Sequence, residues 1–260
     1  MRLRAYALAI ERSSHLTAID LFRLDGKTAV VTGAGGGLGR EIVLGFAEAG
    51  AAVYALDVDA GAARTTAEAR ESITPCQADV RDRDAIERAL PEHLDVLVNA
   101  AGIGGWGPTD TYPDELWREV LEVNLTGTFM CCRAAGRRME GRGGAIVNMA
   151  STLGVVGFPG TIGYVASKGG VVQLTRALAV EWAARGIRVN AIAPSTFETP
   201  LVSRNRPRRP AAYERLLADT PLGRFGDPPE IVGPALFLAS DAASMVTGHV
   251  LAVDGGYLAR

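Results

Sequence analysis

The strongest constraint on the fold of this chain is a regular alternation of short apolar runs with longer helical stretches. Several of the runs are apolar at successive positions, as strands covered on both faces are. The runs are TAVVT (28–32), AVYALD (52–57), ITPCQAD (73–79), DVLVNAA (95–101), AIVNMAS (145–151), IRVNAIAP (187–194) and HVLAVDG (249–255). Because strands that alternate with helices form right-handed crossovers, the pattern predicts an α/β fold with a doubly wound parallel seven-stranded sheet and helices on both faces.

The length of 260 residues suits one such domain, which we expect over residues 21–260. Residues 1–20 form an N-terminal arm that is either a disordered extension or an added subunit contact, and we expect disorder. Glu11 and Arg12 interrupt its short apolar run, which is too short for a signal peptide or a membrane span.

Charge and cysteine content narrow the class of partner. The net charge is −2, from 27 basic and 29 acidic residues without a long run of one sign, so we expect a small-molecule ligand and no nucleic acid or membrane partner. The three cysteines lack the spacing of a metal site, and reduced thiols suit a cytoplasmic location; they are Cys76, Cys131 and Cys132.

The longest break in the alternation is the segment 195–226. It is too long for an ordinary loop, which indicates a lid or a substrate-binding insertion. Its basic cluster could attract a carboxylate or phosphate, although a charged lid surface is usually just solvated; the cluster comprises Arg204, Arg206, Arg208 and Arg209.

A glycine-rich turn, TGAGGGLG, follows the first predicted strand and opens the first helix. Gly33, Gly37 and Gly39 give the spacing GxxxGxG. This spacing allows a tight turn and lets a pyrophosphate approach backbone N–H groups at a helix N-terminus. The turn therefore predicts a dinucleotide site.

Asp57 ends the second predicted strand, where its carboxylate can accept hydrogen bonds from the adenosine ribose hydroxyls. The same carboxylate would repel a 2′-phosphate, and neither Gly36 nor Val58 is a basic residue that could hold one. Charge therefore favours NAD over NADP, with the nearby Arg40 as the one reservation.

Two further segments end predicted strands at the same edge of the sheet, Asp79 and NAAG (99–102). Open parallel sheets bind ligands at the carboxyl ends of their strands, so both segments can wall the adenine and ribose. The alternative for Asp79 is a helix N-cap.

Tyr164 and Lys168, in GYVASKGG, stand four residues apart and so share one helix face. Tyrosine titrates at about 10, and a nearby lysine cation together with a positive nicotinamide ring would lower that pKa. Lys27 is the only other lysine among the 27 basic residues. Retention of lysine here, where the chain otherwise uses arginine, indicates a chemical demand.

Two polar residues complete the candidate site. Ser151 ends the fifth predicted strand at the same carboxyl edge, where its hydroxyl could hold a substrate oxygen against the phenol. Asn124 lies among apolar helix positions, and a water chain to Lys168 would supply the partners that a buried amide needs. Each residue alone has an ordinary structural reading, but the four together behind a dinucleotide turn indicate a catalytic site.

In order and spacing, TGAGGGLG, NAAG, Asn124, Ser151, YVASK and NAIAP resemble the short-chain dehydrogenase/reductase family over about residues 24–257. The resemblance implies one Rossmann domain and an alcohol–ketone interconversion by hydride transfer to or from a nicotinamide cofactor. It implies that Tyr164 transfers the proton, Ser151 orients the carbonyl or alcohol, Lys168 binds the nicotinamide ribose, and Asn124 holds a proton-relay water.

The resemblance also implies cofactor contacts at a defined set of positions. These are Gly33, Gly37, Leu38, Gly39, Asp57, Asp79, Val80, Asn99, Ala100, Gly102, Tyr164, Lys168, Pro194, Phe197 and Thr199. We expect no metal site. Thr199 matches a threonine that the family places on the carboxamide. Ser195 departs from the family, which usually has glycine after this proline, and the change could alter the backbone beside the nicotinamide.

Three functions remain open on the sequence. LFRLDGKTAVVTG, IAPSTFETPL and VLAVDGGY are similar to gluconate 5-dehydrogenase-like members, which oxidise sugar acids or polyols. The alternative is a 3-oxoacyl-carrier-protein reductase. Such enzymes use arginines to bind an acidic carrier protein, and Arg142 and Arg185 match the positions of those arginines. A nucleotide-sensing protein without turnover would be expected to lack a member of the catalytic set, and none is missing.

Two structural expectations follow from the same resemblance. Trp106, Phe158 and Phe197 could line an apolar substrate pocket, although core packing explains them equally well. The family suggests a homotetramer built through helices around 114–139 and 162–185 and the C-terminal strand.

Overall fold

The computed structural model describes residues 17–260. Most of the predicted arm, residues 1–16, lies outside the described residues. Residues 17–20 form a turn that leads into the 3₁₀ turn Asp20–Phe22. None of the helices in the described part of the chain is both long and apolar enough to cross a membrane.

Seven parallel strands form one sheet in the order β3-β2-β1-β4-β5-β6-β7, which confirms the predicted doubly wound fold. The strands are β1 Thr28–Thr32, β2 Ala52–Asp57, β3 Ile73–Gln77, β4 Val96–Asn99, β5 Gly144–Met149, β6 Ile187–Pro194 and β7 Val250–Val253. The strand order reverses between β1 and β4, and the crevice at such a switch point is where open parallel sheets bind ligands.

The helices cover both faces of the sheet. They are α1 Gly37–Glu48, α2 Ala60–Ala67, α3 Arg83–Ala89, α4 Asp114–Leu121, α5 Thr128–Arg138, α6 Ile162–Trp182, α7 Pro200–Asn205, α8 Pro210–Ala218 and α9 Val232–Ala239. A π-helical turn, Glu122–Gly127, joins α4 to α5. Asn124 therefore lies in a π turn, and the regular helix predicted around it is interrupted there.

Alternate residues of the central strand enter two separate cores. Val31 of β1 packs with Phe46 of α1 and Leu238 of α9 on one face. Val30 packs with Leu178 of α6 and with residues of α3 and α5 on the other face. Because both faces of β1 are covered, its apolar run is continuous.

Several strands end earlier than their apolar runs. β4 stops at Asn99. Beyond it the N–H groups of Ala100 and Ala101 no longer pair with a neighbouring strand, and each donates to the Thr32 hydroxyl over 3.1 Å. β3 and β5 likewise end before Asp79 and Ser151. These residues therefore lie in loops at the carboxyl edge of the sheet.

The segment 195–226 carries two helices, α7 and α8. Its ends are tied together, because Glu198 N–H donates to the Gly226 carbonyl over 2.8 Å and Gly226 N–H donates to the Thr196 carbonyl over 3.0 Å. The segment is thus a closed excursion from the end of β6, which fits the predicted lid.

We expect Thr32→Val to lower the free energy of unfolding by about 1–3 kcal/mol, because it leaves two backbone donors without their acceptor at an unchanged volume. Urea denaturation measures the change. Thr74→Val, on the exposed surface of β3, is the matched control and should change stability by less than about 0.5 kcal/mol. Equal effects of the two substitutions would contradict the role given to the Thr32 hydroxyl.

Candidate active site

The glycine-rich turn brings the loops after β1 and β4 into backbone contact. Gly33 has a φ of +67°, and a Cβ there would lie 2.7 Å from the Ala101 nitrogen. A Cβ on Gly39 would lie 2.1 Å from the Gly33 carbonyl oxygen. Glycine is therefore required at both positions. The start of α1 has no side-chain cap and lines the cleft, so its first N–H groups are available to a ligand.

Asp57 ties the glycine turn to the end of β2. Its carboxylate accepts hydrogen bonds from Gly35 N–H over 2.8 Å and from Asp59 N–H over 3.0 Å. The carboxylate also lines the cleft beside the exposed Val58. Arg40, the reservation raised from the sequence, pairs with its neighbour Glu41 over 3.2 Å and is not among the residues that line the cleft.

Asp79 and Val80 both line the cleft beyond β3. The Arg81 guanidinium lies 2.6 Å from the Asp79 carboxylate and holds the pKa of that carboxyl below its usual value. Arg81 also lines the cleft, and the sequence reading missed it. The helix N-cap is Asp82, which accepts from Asp84 N–H over 2.9 Å, so the capping alternative for Asp79 is wrong.

Ser151, Tyr164 and Lys168 line the same cleft at its centre. Lys168 Nζ donates to the Met149 carbonyl over 2.6 Å and lies 5.7 Å from the centroid of the Tyr164 ring. The Ser151 hydroxyl accepts from Leu153 N–H over 3.1 Å, and its hydrogen bonding with the phenol lowers the pKa of Tyr164.

Burial acts on both titrating groups of this set. It raises the pKa of the Tyr164 phenol, an effect larger than the opposing effect of Ser151. It lowers the pKa of Lys168 from 10.5 to about 8. Removing the phenolate or the ammonium from water is costly. In the protein without cofactor, the pKa of Tyr164 is therefore raised by burial, and the predicted lowering by Lys168 does not prevail.

Asn124 fixes the loop that follows β4. Its Oδ1 accepts from Ile103 N–H over 2.8 Å, and its Nδ2 donates to the Ile103 carbonyl over 2.9 Å and to Ser167 Oγ over 3.1 Å. Protein groups thus satisfy this fully buried amide, so its burial alone does not require a water chain, and the relay water at Asn124 stays a prediction. A Cβ on Gly102 would lie 3.3 Å from Asn124 Oδ1 and 3.5 Å from Lys168 Nζ, so glycine lets this loop approach the lysine.

Asn99 lies beneath the cleft. Its Nδ2 donates to Asn148 Oδ1 over 2.8 Å and to Cys132 Sγ over 3.2 Å, in the buried layer between β4, β5 and α5. Neither Asn99 nor Asn124 is among the residues that line the cleft, whereas Ala100 and Gly102 are. The structure therefore gives Asn99 and Asn124 supporting positions.

The last predicted contacts come from the end of β6, the start of the segment 195–226 and the start of α1. Pro194, Phe197 and Thr199 line the cleft, as does Leu38 of α1. A Cβ on Gly37 would lie 3.6 Å from Thr199 Cγ2, which places Thr199 against the glycine turn. No non-glycine residue between 17 and 260 has a positive φ, so Ser195 occupies the position of the usual glycine without a left-handed backbone.

The predicted site residues other than Asn99 and Asn124 surround one cleft with a volume of about 1160 Å³. That volume exceeds the roughly 300–1,000 Å³ typical of a pocket for a drug-sized molecule, which suits a dinucleotide together with a small substrate. Trp106 lines it too, with Phe158 packed edge-on behind at a ring distance of 6.0 Å. Over residues 17–260 no group of three His, Cys, Asp or Glu side chains is placed to hold a metal ion.

Comparison with known proteins identifies close relatives. A family model described as enoyl-(acyl carrier protein) reductase matches residues 33–258. The chain is 47% identical over 247 residues to galactitol 2-dehydrogenase (L-tagatose-forming) of Cereibacter sphaeroides, covering 91% of this chain and 97% of that protein. It is 40% identical over 245 residues to the 3-oxoacyl-[acyl-carrier-protein] reductase of Thermotoga maritima, covering 90% and 98%.

A solved structure shares the fold over nearly the whole described chain. The gluconate 5-dehydrogenase of Burkholderia cenocepacia, crystallised with NADP and tartrate, superposes with a TM-score of 0.88 at 36% identity. The match covers 94% of this chain and all of that chain.

We expect Lys168→Met to raise the free energy of unfolding by about 1–3 kcal/mol at pH 7, because the buried ammonium is replaced by an apolar side chain of similar length. Below pH about 8 Lys168 is charged in both folded and unfolded chains, so the desolvation cost is present. Between about 8 and 10.5 the folded chain releases a proton that the unfolded chain keeps, and the cost disappears.

The stability gap between Lys168→Met and the wild type should therefore narrow from pH 7 to pH 9.5 in urea denaturation. Lys27→Met, at the exposed second lysine, is the control and should show no such narrowing. A Lys168→Met protein that is less stable than wild type by the same amount at both pH values would show that burial of the charge is not costly.

Proposed function

The chain belongs to the short-chain dehydrogenase/reductase family, and from this premise we propose that it is an NAD(H)-dependent dehydrogenase of a sugar acid or polyol. Membership in the family makes the chain an oxidoreductase that interconverts a secondary alcohol and a ketone with a nicotinamide cofactor. Preference for NAD, the residue roles and the substrate class are the parts that we propose.

The residues of the cleft fit a nicotinamide dinucleotide. The closest backbone approach is at Gly33 and Gly39, where a side chain would collide with the turn itself, and the open N–H groups of α1 suit a pyrophosphate. The Asp57 carboxylate, beside the apolar Val58, favours binding of a ribose with free hydroxyls and disfavours a ribose with a 2′-phosphate. When bound, the cofactor accepts or supplies the hydride.

The protein's own groups handle the proton. We assign Tyr164 as the acid or base because it lines the cleft, hydrogen-bonds with Ser151 and has Lys168 Nζ 5.7 Å from its ring centroid. Ser151 would hold the substrate oxygen against the phenol, and Lys168 would bind the nicotinamide ribose and favour the phenolate electrostatically. Asn124 acts indirectly in this scheme, because it fixes the loop that carries Gly102 beside the lysine.

The observation that carries the proposal is the convergence of Ser151, Tyr164 and Lys168 on one cleft with the glycine turn and Asp57. A hydroxyl, a phenol and a buried ammonium at the carboxyl edge of the sheet are the groups that alcohol oxidation needs beside a dinucleotide. All four predicted catalytic residues are present, which argues against a nucleotide-sensing protein without turnover.

The two arginines that suggested a carrier-protein reductase give that alternative little support. Arg185 donates to the Gly136 carbonyl, pairs with Glu140 and stacks over the Trp182 ring at 5.1 Å. Its guanidinium is therefore already engaged within the protein, and only the exposed Arg142 is left to meet an acidic partner.

A homotetramer in the cytoplasm remains part of the proposal. Exposed apolar side chains on the helices named for assembly support it, among them Phe129 of α5 and Val180 of α6, which is 82% exposed. Large exposed apolar side chains on adjoining helices are typical of subunit contacts. The three free thiols suit a reducing compartment.

The proposal is tested by a panel of secondary alcohols and ketones, run in parallel with NAD and NADP. We expect turnover of at least one sugar acid or polyol, with kcat/KM at least 10-fold higher with NAD, because a carboxylate beside a 2′-phosphate is repulsive. Equal or better efficiency with NADP would refute the assignment of Asp57, and no turnover across the panel would refute the dehydrogenase.

Asp57→Asn is the matched variant for the cofactor preference. It keeps an acceptor for ribose and removes the negative charge, so the preference for NAD should fall several-fold while turnover with NAD persists. Glu48→Gln, which removes an exposed carboxylate outside the cleft lining, should leave the preference unchanged.

A further inference from the structure

The charges of the cleft are separated between its two ends. Its three carboxylates are Asp57, Asp79 and Glu119. Asp79 pairs with Arg81, and Glu119 lies close enough to raise the pKa of the same guanidinium. Asp79 and Glu119 therefore lie around Arg81, and Asp57 follows β2, the strand next to β3.

The other end of the cleft carries three arginines from the segment 195–226, namely Arg204, Arg208 and Arg209. Within residues 17–260 none of the three forms an ion pair with a carboxylate. Arg206, the fourth member of the sequence cluster, pairs with Glu198 and does not line the cleft. Among the four clustered arginines, the three that line the cleft are thus the ones without an ion pair in the described part of the chain.

Arg209 is held in place by an aromatic ring. Its guanidinium carbon lies 4.7 Å from the centroid of Trp106, whose ring is itself braced by Phe158. Stacking of this kind fixes the plane of a guanidinium while leaving its N–H donors free. A fixed fork of free donors is suited to a carboxylate or phosphate.

The contacts of Trp106 link Arg209 to the segment that precedes the helix of Tyr164. Trp106 lies 3.8 Å from the Cβ position of Gly160, and Gly107 N–H donates to the Gly160 carbonyl over 2.9 Å. Thr161, which follows, also lines the cleft and precedes α6, the helix that carries Tyr164. Arg209 is therefore connected, through Trp106, to the segment that leads into the helix of Tyr164.

We propose that Arg209, supported by Arg204 and Arg208, binds an anionic group of the substrate. The inference rests on the proposed function and narrows it: the enzyme acts on a hydroxy acid or a phosphorylated sugar in preference to a neutral polyol. An anionic group at one end of the substrate would place a secondary hydroxyl further along the chain at Ser151 and Tyr164.

The test compares substrates of one carbon skeleton that differ in charge: D-gluconate, D-glucitol 6-phosphate and D-glucitol, with the matching galactose and mannose series. The best anionic compound should exceed its neutral counterpart at least 10-fold in kcat/KM. Arg209→Gln should lower kcat/KM for that compound about 10- to 100-fold, mainly through KM, and change the neutral polyol less than about 3-fold. Whether carboxylate or phosphate is bound is read from which anionic series is preferred.

Arg215→Gln is the control, because Arg215 stacks on Phe158 at 5.5 Å in the same aromatic cluster but does not line the cleft. It should leave both substrate classes unchanged. The dissociation constant of NADH should stay within about 2-fold in both variants. A rise in that constant for Arg209→Gln would show that the arginine holds the cofactor phosphates, and would overturn the proposal.

Calorimetric titration of the enzyme–NADH complex with D-gluconate, D-glucitol 6-phosphate and D-glucitol reads the anion site without turnover. Binding of an anion that Arg209→Gln weakens at least 10-fold would support the site. Three results would overturn the anion site and leave the proposed dehydrogenase activity standing. They are binding of none of the compounds, tighter binding of D-glucitol than of the anions, and faster turnover of neutral polyols. Absence of turnover with every compound, beside intact anion binding, would instead refute the proposed function.

Discussion

The contact between the loops after β1 and β4 is the constraint on which the rest of the cleft depends. The Gly33 turn packs against the backbone of Ala101, and Thr32 accepts from two N–H groups of the same loop. A side chain at Gly33 would force the loops apart at the point where the strand order reverses. Because this is where a parallel sheet opens a crevice, one backbone contact decides whether a dinucleotide site exists.

The same loop connects the cofactor end of the cleft to the chemistry. After Ala101 it passes Gly102, whose missing side chain leaves room for Lys168, and Ile103, whose backbone is held on both sides by Asn124. The π turn around Asn124 and the buried end of the lysine are therefore parts of one arrangement. The arrangement costs stability at the buried Lys168 ammonium, because burial lowers the pKa of this group to about 8. A site that keeps a costly charge gives up some stability for function.

The sequence was sufficient for the fold, the glycine turn and the shared helix of Tyr164 and Lys168, because strand–helix alternation and a four-residue spacing are local patterns. It was insufficient where a contact between distant segments decides the outcome. The partners of Asn124 come from Ile103 and Ser167, and the place of Asn99 beneath the cleft depends on Asn148 and Cys132. Apolar periodicity carries no information about such pairings.

Charge patterns show the same limit. Asp82 was as good a local candidate for the helix cap as Asp79, and only the structure shows that Asp79 is taken by Arg81. Among four neighbouring arginines, the sequence could not tell that Arg206 finds Glu198 whereas Arg209 finds Trp106. The difference between a solvated charge and one aimed at a ligand lies in these tertiary contacts.

The claim that Tyr164 transfers the proton is tested most directly by Tyr164→Phe, which removes only the phenolic oxygen. The account predicts a fall of at least about 1,000-fold in kcat with the best alcohol, together with an NADH dissociation constant within about 3-fold of wild type, since the ring and its packing remain. Activity within about 10-fold of wild type, with a normal dependence on pH, would contradict the assignment of Tyr164 and with it the mechanism proposed for this cleft.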